Sequence, residues 1–501
     1  MLESPFAPIC QELATQFDEA EIAHDLERTK ELIVEAKEML ANHDEPAFAP
    51  LFYSVGTSLT IVRDSILREK LSEDNPYTNP DVIKIHGEAI WYFRHAEELV
   101  NQIDENVDNE PYITGFKMIL YVNLGNALDF CGRKCSAIDY YCKAINVHPF
   151  GMALGNIGRC LEHYANLEGD NGHRAVLFKT AYKYYIDAEH SNDVYTYQEA
   201  KNGFRSRREA MEKRFGENVL ESPTIYDPVE TKSENEKVYR YWCLENHLFL
   251  NMLNDLLDNN ASFMTDSLHI TSITTGIEQE QPPFVFEMFD QVKEEYIYAR
   301  HLLYEATNSD YNVHYADRET HLDDVLNYST YSIRLEKLKT SFRTIYSLFD
   351  RIAFLLNSYL KLGIREDTVS FDRIWGALKE KEKQNIAIGA LHWINRDFKD
   401  KFGNADTPHT KKLKKLRNAL EHKFVSVHMF PVENEIELGD DFIYRISEEH
   451  LIMYTTDLIK IVREALIELT VAIRIEEYQR HDGNKKVAHI TLYEYIDEFK
   501  R

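Results

Sequence analysis

The stretch MILYVNLGNALDFCGRKCSAIDYYCKAINVHP, residues 118–149, decides how the first half of the chain folds. Tyr121, Leu124, Gly125 and Leu128 share one side of a helix, and Ala137, Tyr141 and Ala144 share one side of a second helix that Pro149 brings to a stop. The small residues Gly125 and Ala137 let the two helices approach closely, and the Tyr141 ring fills the gap between them. The second-helix spacing returns as Ala89, Phe93, Ala96 and again as Ala181, Tyr185, Ala188. First-helix counterparts stand at Phe52, Val55, Gly56 and at Leu154, Ile157, Gly158, with extra residues between the two helices of those outer units. Residues 194–215 form a further helix that closes the stack as a polar cap. Helical hairpins that bury their apolar sides only against one another predict an all-α array.

The pattern aromatic-x2-Leu-Gly, then Ala-x3-aromatic-x2-Ala and a closing Pro, resembles the tetratricopeptide repeat. The resemblance covers residues 49–215, after an N-terminal helical segment at 1–48, and implies a groove that takes a protein or peptide ligand.

With 501 residues, 44% of them hydrophobic, the chain is long enough for two or three domains with real cores. A formal charge of -27 excludes general, sequence-independent binding to nucleic acid, so any basic site has to be local. No window approaches the roughly 18 consecutive apolar residues of a membrane span, and MLESPFAPIC lacks a basic segment followed by an apolar run. These features predict a soluble, cytoplasmic protein. Cys10, Cys131, Cys135, Cys142, Cys160 and Cys243 form no paired CxxC motif and read as reduced, mostly buried thiols.

Periodicity is lost over 216–236, which reads as a linker, and a helical connector follows at 237–330, with VYRYWCLENHLFLNMLNDLL and FEMFDQVKEEYIYARHLLYEA as its helices. Two long seams then stand out: Leu335, Leu338, Phe342, Ile345, Phe349, Ile352, Leu356, Tyr359, and Leu451, Thr455, Leu458, Val462, Ala465, Leu469, Ala472. With a shorter helix near 384–402, ended by Gly403, and another opened by Thr407 and Pro408, they predict a four-helix antiparallel bundle over 331–480. The loop 425–445 and AHITLYEYI in the tail, 481–501, are candidates for short strands.

One segment breaks the acidity. In KKLKKLRNALEHKF, residues 411–424, six basic residues stand against one acid. On a helix, Leu413, Leu416, Leu420 and Phe424 form a core stripe, and Lys411, Lys415, Asn418 and His422 fall together on the other side. From the residues alone, Arg417 can simply pair with Glu421 at i, i+4, a link worth about 0.3–0.5 kcal/mol, and the lysines can be a solvated face.

Arg417 and His422 spell R-x4-H with Asn418 directly after the arginine, and in a helical bundle this resembles the HEPN superfamily, whose ribonuclease members carry R-x4-6-H. The similarity runs over residues 236–480 and includes WCLENHLFLNMLNDL, SLFDRIAFLLNSYL, SFDRIW and LRNALEHK. The motif itself recurs at Arg240/His247, Arg445/His450 and Arg474/His481, none with a basic neighbourhood, and RISEEH reads better as a capping segment.

The resemblance implies RNA cleavage without a metal or other cofactor: the 2′-OH attacks the adjacent phosphate and leaves a 2′,3′-cyclic phosphate and a 5′-OH. It casts His422 as general acid–base, Arg417 as the planar cation on the developing phosphorane and Asn418 as a hydrogen-bond donor, with Lys411, Lys414 and Lys415 on RNA phosphate. Arg417 and His422 diverge by about 140° on one ideal helix, and the family's paired bundles imply a homodimer. The reading is a ribonuclease governed by a repeat sensor, as in a toxin or antiphage effector. The alternatives are a non-enzymatic dimeric scaffold and the HEPN partner of a nucleotidyltransferase. No P-loop, GxGxxG, HExxH or GxSxG is present, and His314, Asp317 and His321 are too irregularly spaced for a metal site and read as a polar loop.

Overall fold

A glycine facing an aromatic ring recurs through the first half of the chain: Gly56 on Phe93, Gly125 on Tyr141 and Gly158 on Tyr185, each so close that an added Cβ would lie 2.6–2.9 Å from the ring. Each contact closes one helical hairpin. The helices are α3 (Ala49–Glu69) with α4 (Pro80–Val100), α5 (Glu110–Phe130) with α6 (Lys134–Val147), and α7 (Gly151–Leu167) with α8 (Asn171–Glu189). Ala89, Ala96, Ala137, Ala144, Ala181 and Ala188 are all fully buried, so the small-residue positions lie where the helices touch. A first hairpin, α1 (Pro8–Ile22) and α2 (Leu26–Leu40), packs on α3. At the other end α9 (Gln198–Phe215) lays Phe204 against Gly155. It begins at Gln198 and not at 194, because Asp193 accepts from the backbone N–H groups of Gly151, Tyr195 and Thr196 and holds that stretch as a loop. Gly216 follows at a φ of 85°, and α10 (Glu217–Glu221) buries Leu220.

The computed structural model describes residues 4–69, 79–104, 106, 109–224, 228–256, 260–276, 284–308, 312–323, 328–399, 401–402, 405–406, 408–430, 442–480 and 487–490. The chain divides into two compact units, Met1–Ile225 with Asp400–Pro408, and Tyr226–Lys399 with His409–Arg501.

The second unit is a bundle of α12 (Phe284–Asn308), α13 (Ile333–Leu360), α15 (Ile386–Lys399), α16 (Pro408–His422) and α17 (Glu448–Arg480), with short helices α11 (Glu234–Glu245) and α14 (Glu380–Lys383). Every residue of both expected seams, on α13 and α17, is buried. Helix α12, placed by sequence in the connector, packs along α13 and also touches α17. Strand β5 (Phe424–His428) lies between β2 (Ser329–Thr330), antiparallel, and β6 (Ile443–Ser447), parallel, with Phe424 opposite Ile443. Strands β1 (Ile273–Gly276) and β7 (Val487–Ile490) pair antiparallel, and β3 (Lys401–Phe402) pairs with β4 (Ala405–Asp406). Residues 491–496 of the expected tail strand, Gly403 and Thr407 lie outside the described residues.

One expected helix is broken. VYRYWCLENHLFLNMLNDLL is helical only to Glu245; His247 then takes a φ of 56°, and a 3-10 turn forms at Met252–Asp255. Two buried arginines claim the carbonyls that a helix would use. Arg463 donates to the Phe249 and Asn251 carbonyls and to Asp255, each at 2.6 Å, and Arg300 donates to the Leu248 carbonyl at 2.9 Å and by a fork to Asp266. Asn251 and Asn254 satisfy nearby backbone N–H groups with their own side chains, the local competition that makes Asn a weak helix former.

Among the described residues no cysteine is in a disulfide, no helix is long and apolar enough to cross a membrane, and no group of three or more His, Cys, Asp or Glu is placed to hold a metal ion. His314 caps a 3-10 turn by accepting from the Ala316 N–H, and Asp317 accepts from that of Ile333.

Gly125→Ala is expected to destabilise the first unit by about 1–3 kcal/mol through overpacking against Tyr141. On the same helix Gly115 faces open space, with nothing within 4 Å of where a methyl group would sit, so Gly115→Ala is expected to stabilise by about 0.5–1 kcal/mol. Thermal unfolding of the two variants beside the parent should show opposite signs.

Candidate active site

Helix α16 is held at both ends by its neighbours. Near its start the Thr410 hydroxyl donates to the Asp397 carbonyl and the Lys414 ammonium donates to the Phe398 carbonyl at 3.2 Å, using C-terminal carbonyls of α15. At its end Arg343 of α13 donates to the Leu420 carbonyl at 3.0 Å, and the Lys423 N–H closes on Ala419 at 2.8 Å. Leu413, Leu416, Ala419 and Leu420 are buried, while Lys411, Lys415, Asn418 and His422 are all exposed along one face.

Phe424 does not continue the core stripe; it is 76% exposed. The helix stops at His422, and the Phe424 N–H donates to the Phe442 carbonyl at 2.9 Å, which starts a strand. From there Ser426, Val427 and His428 are all buried, with Val427 the apolar one among them.

Arg417 is half-buried. Its guanidinium lies 5.5 Å from the centre of the Tyr346 ring and donates to the Asn418 side-chain oxygen at 3.1 Å. Among the described residues it makes no ion pair, with Glu421 or any other carboxylate, so the simple i, i+4 link is not formed. Burial pushes the Tyr346 phenol up to about 12, with Arg417 pulling the other way, and the ring remains a neutral platform. With its oxygen taken by Arg417, Asn418 has its NH2 left to donate outward.

Tyr346 and Arg343 were not singled out by sequence, since both lie on α13 some seventy positions upstream. The available signal was that Tyr346 stands four after Phe342 and three before Phe349, beside the seam.

In the other R-x4-6-H pairs, Arg240, His247 and His450 have structural duties. Arg240 donates to Glu236 and to the Met264 carbonyl, and His247 bonds the Asn254 carbonyl. Arg445 lies on β6, while the His450 N–H is capped by Ser447 and its ring stacks on Tyr454. His481 lies outside the described residues.

Residues 277–476 match the LA2681-like HEPN family, a range that takes in α12, α13, α15, α16 and most of α17. No curated protein and no solved structure matches the chain.

Leu416→Ala or Leu420→Ala is expected to cost about 2–5 kcal/mol by opening a cavity. His422→Ala and Phe424→Ala, at exposed positions, should stay within about 0.5 kcal/mol. Denaturant unfolding of the four variants checks the division.

Proposed function

With residues 277–476 a HEPN domain of the LA2681-like family, we propose that the chain is a metal-independent endoribonuclease whose chemistry sits on α16. HEPN domains are often ribonucleases. The observation that carries the reading is the Arg417 guanidinium, which makes no ion pair among the described residues and lies against Tyr346 and Asn418, on the helix whose exposed row is Lys411, Lys415, Asn418 and His422. An arginine with no carboxylate partner keeps its planar fork for an anion.

In the proposed reaction a His422 imidazole removes the proton from the 2′-OH, the 2′ oxygen attacks phosphorus, and the 5′ oxygen leaves after taking a proton from an imidazolium. Arg417 carries the charge that builds on the non-bridging oxygens, and Asn418 donates its outward N–H to the same group. Lys411 and Lys415 track the backbone. Lys414, already on the Phe398 carbonyl, adds charge from a fixed position. Because Arg417 and His422 diverge on one helix, two copies of the domain facing each other across a two-fold axis complete the site, and RNA relieves the repulsion between the facing lysine rows. The helical hairpins of the first unit are the regulatory half, taking a protein or peptide ligand, in an arrangement suited to a toxin or antiphage effector.

The purified protein is expected to cut mixed RNA in the presence of EDTA, leaving 2′,3′-cyclic phosphate and 5′-OH ends, and to spare DNA, which lacks the attacking hydroxyl. Arg417→Ala and His422→Ala should each abolish cutting with unchanged melting, while Glu421→Gln retains it. Cleavage that requires magnesium, proceeds on DNA or persists at the parent rate in His422→Ala would refute the assignment.

A further inference from the structure

Helix α16 runs straight into a small sheet, and the side chains on one side of that sheet have no part in the reaction proposed above. Only Lys423 separates His422 from Phe424, the first residue of β5, which is 76% exposed. The pleat puts Phe424, Ser426 and His428 on one side of β5, and the parallel register sets Arg445 of β6 beside Ser426. On the other flank Ser329 of β2 pairs with His428 and donates to the Tyr331 hydroxyl at 3.2 Å, so Tyr331, 56% exposed, belongs to the same side.

This side is not an apolar interface. Ser426 and His428 are buried and hydrogen-bonded to each other at 3.1 Å, and they leave two separate rings standing out, Phe424 and Tyr331, with a guanidinium beside them. Arg445 makes no ion pair among the described residues, and its Nη1 has no hydrogen-bond partner. Helix capping by Ser447 accounts for the His450 end of this R-x4-H pair and leaves the arginine without a duty. A guanidinium donor that the fold does not match draws an anion.

Rings raised from a sheet stack unpaired bases, since every base has a π face to offer. A cation one strand over suits the phosphate that joins two such bases. A strand of RNA leaving the His422 end of α16 meets Phe424 next, because helix and strand are joined through one residue. A second copy of this chain fits less well, because a two-fold contact through this side repeats the same unmatched cation on both surfaces.

We propose that this side of the β2–β5–β6 sheet is the platform for the unpaired nucleotides next to the scissile bond, where Phe424 and Tyr331 stack a base each and Arg445 holds the phosphate between them. The inference rests on the ribonuclease reading of α16 and adds which residues choose the strand: cleavage is confined to sites whose neighbouring bases are free of pairing.

Binding tests this without turnover, by fluorescence anisotropy of a labelled 2′-O-methyl RNA octamer, which lacks the attacking hydroxyl, with the full-length chain. Phe424→Ala and Tyr331→Ala are each expected to weaken the octamer about tenfold, as the loss of one base stack does, while Phe424→Trp keeps the parent affinity. Tyr298→Ala, at an exposed ring on α12, should change nothing. Arg445→Gln should reduce the slope of log K against log salt by about 0.7. An abasic octamer is expected to bind weakly and to be indifferent to Phe424→Ala, a coupling that unfolding would not imitate. An octamer that does not bind, that binds Phe424→Ala and Tyr331→Ala as tightly as the parent, or that is matched by the abasic backbone overturns the platform. So does a Phe424→Ala chain that sediments as a monomer where the parent is a dimer, at unchanged octamer affinity. If the octamer binds as expected and no RNA is cut, the platform stands and the ribonuclease reading falls; if RNA is cut through His422 while Phe424→Ala cuts paired and unpaired sites as the parent does, the platform alone falls.

Discussion

Two buried arginines, Arg300 on α12 and Arg463 on α17, govern the C-terminal unit. Each is buried and therefore needs its donors matched, and the partners are the Leu248, Phe249 and Asn251 carbonyls, the Tyr239 hydroxyl, Asp255 and Asp266. That demand unwinds what would be a helix and packs it into the bundle as an irregular segment. Taking away a carboxylate partner would strand a buried charge at a cost of about 3–5 kcal/mol. The same arrangement ties α12 and α17 to one segment, and α13, packed against both, then carries Arg343 and Tyr346 to the helix where the candidate chemistry sits.

Regular periodicity was readable in the chain wherever the forces that select a conformation are local. The seams of α13 and α17 are buried at every named position, and Tyr141 lies on Gly125 as its spacing predicts. Reading failed where a distant partner decides. Nothing near Phe249 announces that Arg463, more than two hundred residues later, will take its carbonyl. At Phe424 the failure is one of period, since an apolar residue eleven positions after Leu413 fits a helical stripe until the backbone switches to a strand. The spacing of Arg417 and His422 recurs at three other pairs, so resemblance and basic neighbours are what single these candidates out, and the ring beside Arg417 comes from another helix and left no mark in the motif.

A chain of charge -27 that gathers cations in two places has a definite electrostatic character. At physiological ionic strength the Debye length is about 8 Å, so the α16 row acts on a polyanion only at close range, after the acidic bulk has slowed its approach. Under the proposed function, such a surface disfavours weak, sliding association with nucleic acid and favours a substrate with a locally exposed backbone. In a groove of the first unit the cations Arg63, Lys134, Arg159 and Arg207 are instead partly compensated by Asp129 and Glu162.

Lys423 is the whole connection between α16 and β5. Its N–H belongs to the helix, the next N–H belongs to the ladder with β6, and Ser447 at the end of β6 caps α17. His422 is thus fixed to a strand register, which advances in steps of about 3.3 Å and reverses faces at each step. Side chains of α16 outside the candidate row can vary, yet an added or missing residue at position 423 would turn Val427 out of the core. Length between the histidine and the strand should therefore be invariant in this lineage even where the sequence around it drifts.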